Sequence, residues 1–305
     1  MTTHATSPSF EPAPLALVGR FALNVAGYLG GVASVTARAC RRDTMAVADD
    51  DTVTAQLAWI FGLGLPFVAL LHVGIGSFLA MQSYFGGTFA DGTGAVVGVG
   101  LLRNMASLLS GLCLAGLVAA RMTPELRARS RASRLAAREG DDDAQGFLSR
   151  TASGQAARRG PVDHPEDGVG GRALAARLIA TTIAGPVLGV WGAAVGTLVG
   201  WQVAQTIMGV STHNFFRMFW EMLWVRDLAG MLVKGVCAGF LAGAFSCYEG
   251  LRGDGGPDVS AVSSAAGRAA CFAGVGMLIV SSGWFILLYH AGPAFGPTLL
   301  QPPVL

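Results

Sequence analysis

Apolar positions along this chain gather into long blocks, and the polar residues, arginine above all, are swept into the gaps between them. Such blocks predict helices that cross a bilayer, since about 20 apolar residues at 1.5 Å each span its hydrocarbon core. The clearest blocks predict five spans, at about 57–81, 95–120, 178–208, 228–248 and 269–289. Pro66 marks a kink in the first. Ahead of them, Leu15, Val18, Phe21, Ala22, Val25, Leu29 and Val32 repeat with helical spacing over 15–39, followed by Arg38, Arg41 and Arg42. This reads as an amphipathic helix in the membrane interface, its arginines near lipid phosphates. A sixth spanning helix is the competing reading, against which Arg20 at mid-span would cost about 3 kcal/mol.

The remaining segments are polar. Residues 1–14 read as a disordered tail, Asp49 to Thr52 as the start of a helix, and 293–305 as a Pro-rich tail. Thr123–Glu139 has helical composition, whereas 140–171 reads as a flexible insertion. The aromatic stretch 212–227, with Phe215, Phe216, Phe219, Trp220 and Trp224, suits an interfacial segment. The domain organisation expected is thus a tail (1–14), an interfacial helix and linker (15–50), a five-span domain (51–292) and a closing tail (293–305).

Composition agrees with this pattern. Of the 305 residues, 52% are hydrophobic and 13% charged, about half the charge of a soluble domain. Residues 121–177 carry much of the arginine, and the loop at 249–268 adds Arg252 and Arg268. The positive-inside rule places these segments and the N-terminal cluster in the cytoplasm, and 212–227 outside. No basic stretch precedes the first apolar block, so a cleaved leader is not expected. A net charge of +2 offers nucleic acid no basic surface.

Candidate chemistry is sparse. No GxxxxGK[ST] loop, serine elbow or paired-carboxylate site occurs, so ATP hydrolysis and other catalysis are not expected of this chain. Five scattered cysteines and five dispersed histidines suggest neither a disulfide framework nor a metal site, and no cofactor is expected. Glycines at 185, 189, 192, 196 and 200, and at 235, 239 and 243, fall at spacings that bring helix backbones together. Charges inside a span are costly, which singles out Arg103 and Lys234. His72, alone in an apolar helix, reads as a hydrogen-bonded core residue.

The order of features from Gln56 onward resembles the MlaE/YrbE permeases, the membrane subunits of Mce-type lipid ABC transporters. The resemblance is carried by Met81-Gln82-Ser83-Tyr84 closing the first span, LLRNMASLLSGLCLAG (101–116), Thr123-Pro124-Glu125-Leu126 and PVLGVWGAAVGTLVG (186–200). It continues in FFRMFWEMLWVRDLAGMLVKGVCAG (215–239), similar to the family's external helix, aspartate and lysine-bearing fourth span, and in GLRGDGGPDVSAVSSAAGRA (250–269). The family's acid after the arginine is Asn104 here, its Gly-Pro is Ala106-Ser107, and the arginine of its AGR motif is Leu117, with Arg121 close by. Its cytoplasmic coupling motif has no counterpart in 126–150.

The resemblance implies an all-α integral membrane protein of the bacterial inner membrane. It would work as a homodimer with a cytoplasmic ABC ATPase and an external MCE-domain protein, passing membrane lipids through a cavity between permeases. Met81, Gln82, Tyr84, Arg103 and Lys234 would then face substrate. Glu125, Arg127, Arg131 and Arg134 would occupy the ATPase-coupling position. The alternative is a scaffold or channel-like protein of the same fold without that coupling. A lipid-acting enzyme would need more converging side chains than Arg103, Lys234 and His72.

Overall fold

Helices form nearly all of the computed structural model, which describes residues 14–41, 50–85, 93–150, 165–252 and 258–291. Side chains at 14–15, 50–51, 84, 133–150, 165–172 and 288–291 lie outside that description. The helices are α1 (Pro14–Ala39), α2 (Asp50–Phe85), α3 (Ala106–Arg150), α4 (Pro165–Met208), α5 (Thr212–Met222), α6 (Val225–Leu251) and α7 (Val259–Ala291). Two π-helical stretches, Gly94–Val99 and Leu101–Met105, run directly into α3. Among the described residues, six helical stretches are long and apolar enough to cross a bilayer: the five expected spans and α1. The chain is an all-α integral membrane protein.

Every span extends beyond its apolar block, because helix propagation is cheap once a turn exists and lipid forbids unpaired backbone. Part of the stretch read as a flexible insertion is helical: α3 runs on to Arg150 and α4 starts at Pro165, while 151–164 lie outside the described residues. So do the expected C-terminal tail at 293–305 and all of the expected tail at 1–14 except Pro14, which opens α1.

The glycines show why α4 is central. A Cβ on Gly185 would strike the carbonyl of Gly235, and one on Gly239 would strike that of Thr181, so α4 and α6 touch backbone to backbone. Farther along α4, Gly196 meets Gly76 of α2 in the same manner. Gly192 makes room for the His72 ring, and Gly200 for Val97. Only hydrogen fits at such crossings.

His72 is fully buried, and its Nδ1–H donates to the Val68 carbonyl at 2.8 Å. The Trp191 indole N–H donates to the Leu65 carbonyl at 3.0 Å, a second tie between α4 and α2.

Helix α1 docks by its C-terminal half. Tyr28, Val32, Val35 and Ala39 are buried, whereas Leu17, Val18, Phe21 and Leu23 are exposed. The Tyr28 ring sits among Phe245, Tyr248 and Phe272, with centroids 6.1, 4.9 and 4.4 Å away. Gly31 leaves space for Tyr248, which a Cβ would enter. On the far side, Phe215 and Phe219 of α5 press against Gly94 and Gly98 of the first π stretch. Ser211 caps α5, its hydroxyl accepting from the Asn214 N–H at 3.3 Å.

Candidate functional site

Two polar clusters interrupt the apolar bundle, one toward each end. At the end that the arginine distribution makes external, the π-helical approach to α3 brings Arg103 against the start of α6. Its guanidinium donates through Nη2 to Asp227 at 3.0 Å and to the Met222 carbonyl at 3.1 Å, and its Nε lies 2.9 Å from the same carboxylate as an ion pair. A charge-assisted hydrogen bond of this kind makes a strong pair. Asp227 also accepts the Trp224 N–H at 3.0 Å, capping the first turn of α6. Its side chain is almost wholly buried, whereas that of Arg103 is 41% exposed.

Lys234 completes the cluster. It is 1% exposed, and its ammonium donates to the backbone carbonyl of Arg103, in the second π stretch. The wider π turn changes the i→i+4 pairing of this backbone. The structure thus brings Arg103 and Lys234 together, as two charges that fasten α3 to α6. Arg226 lies beside them, its guanidinium 3.7 Å from the centroid of the Trp224 ring.

The other proposed substrate residues lie at the end of α2. Met81 is half-buried and Gln82 exposed, next to the cluster of Ala80, Val97, Ala204, Val210 and Phe215. The Tyr84 side chain is outside the described residues.

At the opposite, arginine-rich end, Glu125 of α3 accepts from Arg121 at 2.6 Å and from Arg177 of α4 at 2.8 Å. Arg121 also lies over the Trp59 ring of α2 at 4.5 Å. Arg127 donates to three backbone carbonyls: Glu249 (3.3 Å), Arg252 (3.3 Å) and Ala261 (2.8 Å). Beside it, the fully buried carboxylate of Glu249 accepts from Arg268 at 2.7 and 3.3 Å. Thus Glu125 and Arg127 turn into the bundle, whereas Arg131 is exposed. The Arg134 side chain is outside the described residues.

Asp227, Arg177, Glu249 and Arg268 escaped the search for charges inside spans because each lies at the edge of an apolar block, where the sequence reads as flank. Among the described residues no group of His, Cys, Asp or Glu could hold a metal ion. The arrangement has no nucleophile paired with a base; its charges lock helices together and present arginines at both membrane faces.

Comparison with known proteins adds identity. The family model "Permease MlaE" matches residues 171–285, which cover α4 to α7. The chain is 26% identical over 201 residues to a probable ABC transporter permease protein of Rickettsia typhi, covering 65% of this chain and 68% of that protein. A probable ABC transporter permease protein of Rickettsia prowazekii is similar to the same extent.

Proposed function

We propose that this chain, which belongs to the MlaE permease family, is the non-catalytic membrane subunit of a lipid ABC transporter in a bacterial inner membrane. A separate cytoplasmic ATPase supplies the energy. Two copies form the permease and hand membrane lipid to, or take it from, an external MCE-domain protein. Helix α1 lies in the interface: its N-terminal half is exposed, and only its C-terminal half is anchored to the bundle.

The observation that carries this reading is the match over α4 to α7 on a bundle of long apolar helices with an arginine-rich cytoplasmic base. In a lipid permease, Arg103 and Arg226 at the external end suit anionic headgroups, with Met81, Gln82, Tyr84 and Lys234 nearby along the route. Exposed Arg131, together with Arg134, forms the ATPase contact, held in place by Glu125 and Arg127.

The test is reconstitution. Co-expressed with its ABC ATPase and MCE protein, the permease should purify as a complex that moves fluorescent phospholipid between vesicles only with ATP. Reversing Arg131 and Arg134 to Glu should weaken ATPase binding about tenfold, the scale of losing a few interface charges. A permease that never associates with an ATPase would sustain the alternative, a scaffold or channel-like protein of the same fold. That alternative is favoured by one observation, that Glu125 and Arg127 spend their hydrogen bonds inside the bundle.

A further inference from the structure

The turn at 121–127, where α3 leaves the membrane, is tied to four other helices. Arg121 lies over Trp59 of α2, Glu125 pairs with Arg177 of α4, and Arg127 reaches carbonyls of α6 and Ala261 of α7. These ties differ in kind. A guanidinium on a ring face, or on carbonyls that already serve a helix, tolerates small displacements. Arg177 does not have that freedom. Its side chain is 1% exposed, so water cannot take over its charge, and the guanidinium must stay with the Glu125 carboxylate. Arg121 grips the other Glu125 oxygen from one turn earlier and keeps that carboxylate oriented.

Stability alone does not explain a cation in this place, because well-packed apolar residues commonly stabilise as much as a buried pair. What the pair adds is direction. Helix α4 carries the glycine faces against both α2 and α6, so moving it rearranges the centre of the bundle.

We propose that Arg177 is a positioning residue, through which displacement of the cytoplasmic part of α3 is passed to α4. This deepens the transport reading and rests on it.

The test uses the complete transporter with fluorescent phosphatidylethanolamine in proteoliposomes, comparing wild type, Arg177→Met and Arg177→Lys. Arg177→Met should assemble and hydrolyse ATP within about twofold of wild type, while lipid moved per ATP falls about tenfold, a typical coupling loss. Arg177→Lys, which keeps the charge, should recover much of it. Lipid moved per ATP that is unchanged in Arg177→Met, or that falls only in step with assembly, would overturn the proposal.

A second measurement needs neither ATPase nor transport. Trypsin should cut the solubilised permease after Arg131, which is exposed. Cleavage should quicken about fivefold in Arg177→Met, and to a smaller degree in Arg177→Lys, as α3 loses its anchor. Equal rates in all three proteins would overturn the proposal. If the wild type binds no ATPase while these rates differ, the transport reading fails and the anchoring role of Arg177 stands.

Discussion

Asp227 holds three elements at once: the guanidinium of Arg103, the first turn of α6 and, through Arg103, the carbonyl at Met222. Removing it leaves a guanidinium facing a buried, apolar helix start. Asp227→Ala should therefore destabilise the solubilised protein by about 3 kcal/mol, near the low end for a broken buried pair because Arg103 retains some water. Thermal unfolding measures this, and the double variant with Arg103→Met should be more stable than Asp227→Ala. Lys234→Met should lower lipid transport more than membrane accumulation, since methionine fills the space but removes the tie to the Arg103 carbonyl. Transport assays on proteoliposomes with matched protein content separate the two effects.

Arg103 and Lys234 were legible in the sequence because a charge deep in an apolar block is conspicuous. Their joining was not, since it depends on the π-helical path of 94–105, for which glycine spacing gives no signature. Arg177 was hidden for a different reason. It stands next to an arginine-rich segment and reads as the last of its charges, yet the fold turns it inward.

Among the elements, glycine patterning was read correctly as packing, and the structure assigns each position a partner. Gly185→Ala and Gly239→Ala should each cost about 2 kcal/mol, within the range for overpacking, because the facing atoms are backbone. Gly116, with nothing near its missing Cβ, should accept alanine with unchanged or slightly improved stability. Melting temperatures of the three variants in one detergent make the comparison.

Tyr28 plays the anchoring part for α1. Tyr28→Ala should release the helix, cost about 3 kcal/mol and make residues 16–39 accessible to cross-linkers and proteases. The length and periodicity of α1 were plain in the sequence, but its aromatic socket was not. Phe245, Tyr248 and Phe272 come from two other helices and meet only in three dimensions.

For the whole molecule, the apolar blocks were enough to read an all-α bundle with arginine massed at one end. Single cysteines replacing Arg131 and Arg217 in a background without native cysteines should react with impermeant maleimide from opposite sides of the membrane. Arg131 should react only from the cytosol. The same side for both would overturn the topology. Polar segments between spans were the least legible part, because helices there are sustained by propagation from buried neighbours rather than by their own composition.

The bare crossings of α4 with α2 and α6 have a mechanical consequence. Where backbone meets backbone, no flexible side chain lies between the helices to absorb a shift. A displacement at the cytoplasmic foot of α4 would therefore be felt by α2 and α6 together, over the length that those contacts cover.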